Sequence, residues 1–232
     1  RILTITLTML AGMFSDAMAQ AYLVSDAGLK AILRVDPLTG SRTIVSGNET
    51  GADVGTGVAL ESPRDLGVEP NGRIIVLNYI DDVTIPVVIA IDEITGDRTT
   101  ISGNGVGNGP AMVFPQNLEI GPDGGFYLGQ DGNAIIRVDG DSGDRTIVSD
   151  ATTGTGPQLA SPPQLVFDTN GDILAGDGDT IYRIDPVTGN RTIITSDDGD
   201  PGGQIVGTGA DIALVSDLMV EADGNIVVLD GV

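Results

Sequence analysis

Two sets of oxygen-bearing side chains recur at matched points along this 232-residue chain. Asp65, Asn117, Gln164 and Asp217 each stand immediately before a leucine: Leu66, Leu118, Leu165 and Leu218. Asn78, Gln130, Asp177 and Asp230 each stand six residues after a glycine, and Asp26 is their earliest counterpart. All nine are carboxylates or carboxamides. Oxygen donors gathered from several segments suit a hard cation such as Ca²⁺, which takes about six to eight of them. A bound divalent ion could polarise a carbonyl or activate a water molecule. The candidate metal ligands are therefore Asp65, Asn117, Gln164 and Asp217, with Asn78, Asp177 and Asp230 around them. The plainer meaning is a polar lining that repeats because the structure repeats.

Other chemistry is excluded by composition. The chain has no His and no Cys. Thiol nucleophiles, disulfides, imidazole bases and nitrogen or sulfur metal ligands are thus absent. Acidic residues outnumber basic ones 33 to 11, for a formal net charge of −22. Such a surface repels nucleic acid phosphates and anionic lipid headgroups, so neither is an expected partner, and it attracts cations. Gly103-Asn-Gly-Val-Gly-Asn-Gly109 lacks the Gly-Lys-Ser/Thr of a phosphate loop and has no helix after it. Asp168-Thr-Asn-Gly-Asp172 begins like a calcium loop but lacks the full spacing and terminal Glu, and reads as a turn.

The elements that must place these side chains come from a repeat. Arg34-Val-Asp-Pro-Leu-Thr-Gly-Ser-Arg-Thr-Ile-Val-Ser46 returns at 90–102, 137–149 and 183–195. Its aspartates, Asp36, Asp92, Asp139 and Asp185, are 56, 47 and 46 residues apart. Each copy reads as a hairpin, with Asp36 expected opposite Arg42 as a cross-strand ion pair, and likewise in the other copies. A second repeating feature is a glycine loop: Gly55-Thr-Gly57, Gly107-Asn-Gly109, Gly154-Thr-Gly156 and Gly207-Thr-Gly209. Nine residues after its last glycine comes the leucine, and six further on a turn glycine: Gly72, Gly124, Gly171 or Gly224. Asn-Gly and Asp-Gly between apolar runs are strong hairpin signals.

One repeat thus holds four short strands: A with the Leu, B after the turn glycine, C with the Asp, and D with Arg-Thr. Four strands in this length is the pattern of a propeller blade, and no helical periodicity interrupts it. The expected fold is all-β, a β-propeller of four-stranded antiparallel blades, present as a truncated arc of about four to five blades. Its first blade has strands B, C and D, and its last has A and B. A closed ring therefore implies further residues after Val232 and at least five blades, with six favoured. In a propeller strand A lines the central channel. The starts of A and the ends of B share one face, so the candidate ligands converge at the channel mouth.

Residues 1–19 read as a secretory signal peptide shortened at its start. Arg1 remains of the basic region, Ile2 to Phe14 is an apolar run of 13 residues, and Ala17-Met-Ala19 is the cleavage site. Residues 20–232 are then a secreted or periplasmic propeller domain with no membrane span.

Pro115-Gln-Asn-Leu-Glu-Ile-Gly-Pro-Asp-Gly-Gly-Phe-Tyr-Leu-Gly129 followed by Ile135-Ile-Arg-Val-Asp139 resembles NHL-type repeats of six-bladed propellers. The chain also resembles the gluconolactonase/regucalcin-like and streptogramin-lyase-like members of that group, over about residues 21–232. The first resemblance implies a divalent ion held at the channel mouth by Glu, Asn and Asp. The second implies a catalytic His, which this chain lacks. Two functions follow as expectations: a binding scaffold for a protein or polysaccharide, and a divalent-metal-dependent, lactonase-like hydrolase. The first is favoured, because a catalytic group should break the repeat.

Overall fold

The structure is a computed structural model, and it describes residues 21–48, 53–81, 84–159, 164–196 and 205–231. The leader expected at 1–19 lies outside the described residues.

Seventeen strands and no α-helix make up the described chain. It divides into two compact units. The first runs through Gly107 and takes in Asp141–Gly143; the second holds Asn108–Gly140 and Asp144–Val232. In the first unit, β1 (Tyr22–Asp26), β2 (Ala31–Val35) and β3 (Arg42–Gly47) form a three-stranded antiparallel sheet. β4 (Ser62–Val68), β5 (Ile74–Tyr79), β6 (Pro86–Ile91) and β7 (Arg98–Ser102) form a four-stranded meander.

The second unit has two more four-stranded meanders. One is β8 (Asn117–Ile120), β9 (Phe126–Gln130), β10 (Ala134–Val138) and β11 (Arg145–Ser149). The other is β12 (Gln164–Phe167), β13 (Ile173–Asp177), β14 (Thr180–Ile184) and β15 (Arg191–Thr195). A two-stranded sheet follows, β16 (Val215–Val220) with β17 (Ile226–Asp230). These are propeller blades in the order A, B, C, D, as the repeat requires.

Blades stack, so their middle strands are covered on both faces and need not alternate polar with apolar residues. β5, β9 and β13 are buried along their whole length. Ile32, Leu66, Val76 and Ile89 join one core cluster in the first unit. Tyr127, Leu165, Ile173 and Tyr182 join another in the second. Each A–B turn closes through the turn glycine: the N–H of Gly72 donates to the carbonyl of Glu69 at 2.8 Å, and Gly171 to Asp168 at 3.1 Å. Gly72 sits at φ +88°, where a side chain would be strained.

Among the described residues no ion pair joins Asp36 to Arg42, Asp92 to Arg98 or Asp185 to Arg191, contrary to what the repeat suggests. The aspartate caps its own turn. Asp36 Oδ1 accepts from the N–H groups of Leu38 and Thr39 at 2.8 and 2.9 Å, and Asp92 and Asp185 do the same in their copies. The arginine instead reaches the loop that precedes its blade. Arg98 Nε donates to the Val58 carbonyl at 2.7 Å, and its Nη1 to Ser46 Oγ at 2.7 Å and the Val54 carbonyl at 2.9 Å. Arg191 repeats this on Pro157, Ser149 and Thr153. A short turn favours backbone capping by the Asp, and the planar five-donor guanidinium suits a loop rich in carbonyls.

The glycine loops complete this clip. The N–H of Arg98 donates to the Thr56 carbonyl at 2.7 Å, Arg145 to Asn108 at 2.7 Å, and Arg191 to Thr155 at 2.7 Å. Asp97, Asp144 and Asn190 accept in return, each from the loop N–H and side chain of Thr56, Asn108 and Thr155. Backbone meets backbone so closely that a Cβ at Gly57 would overlap the Arg98 carbonyl oxygen, and one at Gly156 that of Arg191.

Candidate functional site

Register places the first set of candidate residues identically in four sheets. Asp65 faces Leu77, Asn117 faces Gly129, Gln164 faces Gly176, and Asp217 faces Leu229. Their surroundings then diverge. β4 and β16 carry register irregularities at Pro63/Asp65 and Val215/Asp217. There each aspartate turns back on its own strand: Asp65 Oδ1 accepts from the Leu66 N–H at 2.9 Å, and Asp217 Oδ1 from Leu218 at 2.8 Å. Asp65 is buried and Asp217 exposed. Asn117 and Gln164 meet instead, Asn117 Nδ2 donating to Gln164 Oε1 at 3.4 Å.

The second set ties down the chain entering strand A. Asn78, fully buried, accepts from the Ser62 N–H at 3.2 Å and donates to the Ala59 carbonyl at 2.9 Å. Gln130 accepts from Val113 at 3.1 Å. Asp230 accepts from Ala213 and Leu214 at 3.0 and 2.9 Å. Asp177 is buried at the end of β13. Asp26 serves a different turn, accepting from Gly28 and Leu29. A polar group at the end of B can reach the backbone leading into A because the two strands are antiparallel neighbours. Sequence spacing alone does not reveal that use.

Asp65 and Asn78 belong to the first unit; Asn117, Gln164, Asp177, Asp217 and Asp230 belong to the second. The donors are hard oxygens, the right chemistry for Ca²⁺. Among the described residues no three acidic side chains are grouped closely enough to share a metal ion. The loop at Asp168 is a turn: Asp168 Oδ1 accepts from Asn170 and Asp172, and Oδ2 lies 3.4 Å from Arg183 Nε.

One feature escaped the repeat-based reading. The Arg64 guanidinium stands over the Tyr79 ring, 5.4 Å from its centroid. In the sequence repeat, Gln116, Pro163 and Ser216 align with Arg64. Tyr79 likewise gives way to Asp131, Gly178 and Gly231. The departure from the repeat was visible in sequence as an arginine beside Asp65.

No protein-family model and no curated protein sequence matches the chain. Solved structures do. A candidate gluconolactonase aligns with a TM-score of 0.59 at 15% identity, over 90% of this chain and 68% of that one. A catalytically inactive virginiamycin B lyase from Staphylococcus aureus, solved with quinupristin, gives 0.52 at 18%, over 76% and 52%. A chain of a nidogen/laminin complex gives 0.55 at 13%, over 84% and 64%. The likeness is one of fold: β-propeller blades of the gluconolactonase-like, lyase and NHL-repeat type. Among the described residues no helix is long and apolar enough to cross a membrane.

Proposed function

We propose that the chain is a secreted or periplasmic propeller scaffold that binds a partner protein or a polysaccharide and carries no catalytic group of its own. The observation that supports it most is the use made of the blade-end oxygens. Asp65, Asn78, Gln130, Asp217 and Asp230 each spend at least one side-chain oxygen on a backbone N–H of their own unit. This is the work of residues that hold blades, and propellers of one fold host many unrelated activities. Secretion rests on the leader-like sequence of residues 1–19.

The alternative is a divalent-metal-dependent hydrolase of the lactonase kind. Its support is the meeting of Asn117 with Gln164, two neutral oxygen donors, and the likeness to a candidate gluconolactonase. Asn117, Gln164 and Asp217 would hold the ion, which would supply Lewis-acid polarisation of a lactone carbonyl.

Calorimetric titration of Ca²⁺ into the protein, paired with a lactone-hydrolysis assay, separates the two. The scaffold reading expects neither micromolar binding nor turnover. Binding and turnover that are both lost in Gln164→Ala/Asp217→Ala would overturn it in favour of the hydrolase.

A further inference from the structure

One blade lacks a repeated arginine, and a groove lies in its place. Arg34, Arg137 and Arg183 stand two residues before the hairpin aspartates Asp36, Asp139 and Asp185; in the second copy, before Asp92, the position is Ala90. The register is unchanged. Ala90 faces Thr99 across strands C and D, as Arg137 faces Thr146 and Arg183 faces Thr192. In the second unit the arginine ties strand C to nearby acids. Arg137 Nε donates to Asp123 Oδ2 at 2.7 Å, and its Nη1 lies 3.6 Å from Asp139 Oδ2. Arg183 Nε lies 3.4 Å from Asp168 Oδ2 and 3.7 Å from Asp172 Oδ2, both in its own A–B turn.

Ala90 cannot make that tie. Between the turn Asn71–Arg73 and the hairpin Asp92–Asp97 lies an open groove of about 700 Å³, and all of its lining residues belong to the first unit. Sites for small ligands span about 300–1,000 Å³. The floor is apolar, with Ala90 and Ile101 only 7% and 8% exposed. The rim carries Asp92, Glu93 and Asp97, together with Ile94, which is 95% exposed. Two guanidiniums stand close, and both are engaged: Arg73 Nε with Glu69, and Arg34 Nη2 with Glu93. Among the described residues neither Asp92 nor Asp97 forms an ion pair.

We propose that this groove takes an Arg or Lys side chain from an extended basic segment of a partner protein, with an aliphatic neighbour of that residue resting on Ile94. The space is the one that the chain's own arginine fills in the second unit. A long cationic side chain would lay its methylenes on Ala90 and Ile101 and carry its charge to Asp92, the counterpart of Asp139. The net charge of −22 draws such a segment in. A neutral polysaccharide gains nothing from Asp92 and Asp97, and no aromatic ring lines the groove for a sugar to stack on. On the scaffold reading, on which this rests, the partner is thus a protein with a cationic segment.

Fluorescence anisotropy with a labelled Gly-Arg-Val-Arg-Gly peptide tests this, at low salt and at about 0.5 M sodium chloride, where screening acts within roughly 4 Å. Saturable binding is expected, weaker by about tenfold at the higher salt. The same peptide with citrulline for arginine keeps the shape without the charge and should lose about tenfold. Ala90→Arg restores the arginine of the other blades; it should abolish binding and melt no lower than wild type. Should that variant fail to fold, Ala90→Leu fills the floor without a charge and should block binding as well. Asp97→Asn should weaken binding about threefold, whereas Glu221→Gln, an exposed acid of another blade, should leave it unchanged. Absence of binding at low salt overturns the proposal. So does binding that survives a folded Ala90→Arg or Ala90→Leu, that falls as much in Glu221→Gln as in Asp97→Asn, or that accepts citrulline as readily as arginine. None of these outcomes touches the scaffold reading, which falls on Ca²⁺ binding with lactone turnover, since the groove shares no residue with Asn117, Gln164 and Asp217.

Discussion

Asp97 Oδ1 accepts from both the backbone N–H and the hydroxyl of Thr56, at 2.7 and 2.8 Å. The two residues are 41 positions apart, one in a hairpin tip and the other in a glycine loop. In the second unit Asn190 and Thr155 make the same pair, at 2.9 and 2.8 Å. An acid and its amide thus do one job, which marks the contact as a structural fastening.

That interchange gives a pH prediction. The backbone N–H of Thr56, followed by its hydroxyl, holds the Asp97 carboxyl below its ordinary value of 3.8. A carboxylate whose pKa falls on folding adds stability above the unfolded value, and that stability is lost as pH drops through the folded one. Asp36, Asp92 and Asp185 are lowered in the same direction by the N–H groups they cap. Thermal melts should therefore be flat near neutrality and fall below about pH 4. Asp97→Asn should melt with the wild type at pH 7 and lose less in acid, whereas Asp97→Ala should melt a few degrees lower at pH 7.

The glycines of the loops differ sharply in what they tolerate. Gly156 has φ +108°, and a Cβ there would overlap the Arg191 carbonyl. Gly156→Ala should cost about 3 kcal/mol, from backbone strain plus the displaced hairpin. Gly40 has φ +69° with open space around it, so Gly40→Ala should cost only about 1 kcal/mol. Urea titrations of the two variants measure the contrast; equal costs would show that Gly156 packs less tightly than described.

The blade was legible in sequence because three independent signals coincide: turn glycines such as Gly72, apolar runs such as Ile74–Leu77, and the repeated Asp-Arg hairpin. All four A strands and all four B strands after a turn glycine fall where those signals place them. The partners of Asp92 and Arg98 were not legible. Six residues of separation suits a cross-strand pair, and only the loop at Val54, 44 residues away, shows that Arg98 has better acceptors. The candidate ligands were found by position alone. Position could not disclose that Asp65 and Asp217 turn back on β-irregularities while Asn117 and Gln164 reach each other, because a one-residue shift of register has no signature in the residue types.

Arg191 carries the last test. It is 4% exposed, its Nε donates to the Pro157 carbonyl at 2.6 Å, and its Nη1 donates to Ser149 Oγ, the Asp150 carbonyl and the Thr153 carbonyl between 2.5 and 3.1 Å. A lysine keeps the charge but offers one ammonium where the arginine offers a rigid fork, so it cannot serve Pro157 and Thr153 together. Buried acceptors would lose their donors, at about 1–3 kcal/mol. Arg191→Lys should therefore destabilise nearly as much as Arg191→Ala in denaturant titration, whereas Arg42→Lys, at the exposed copy, should change stability by less than about 0.5 kcal/mol. If charge alone held the loop, Arg191→Lys would behave like wild type.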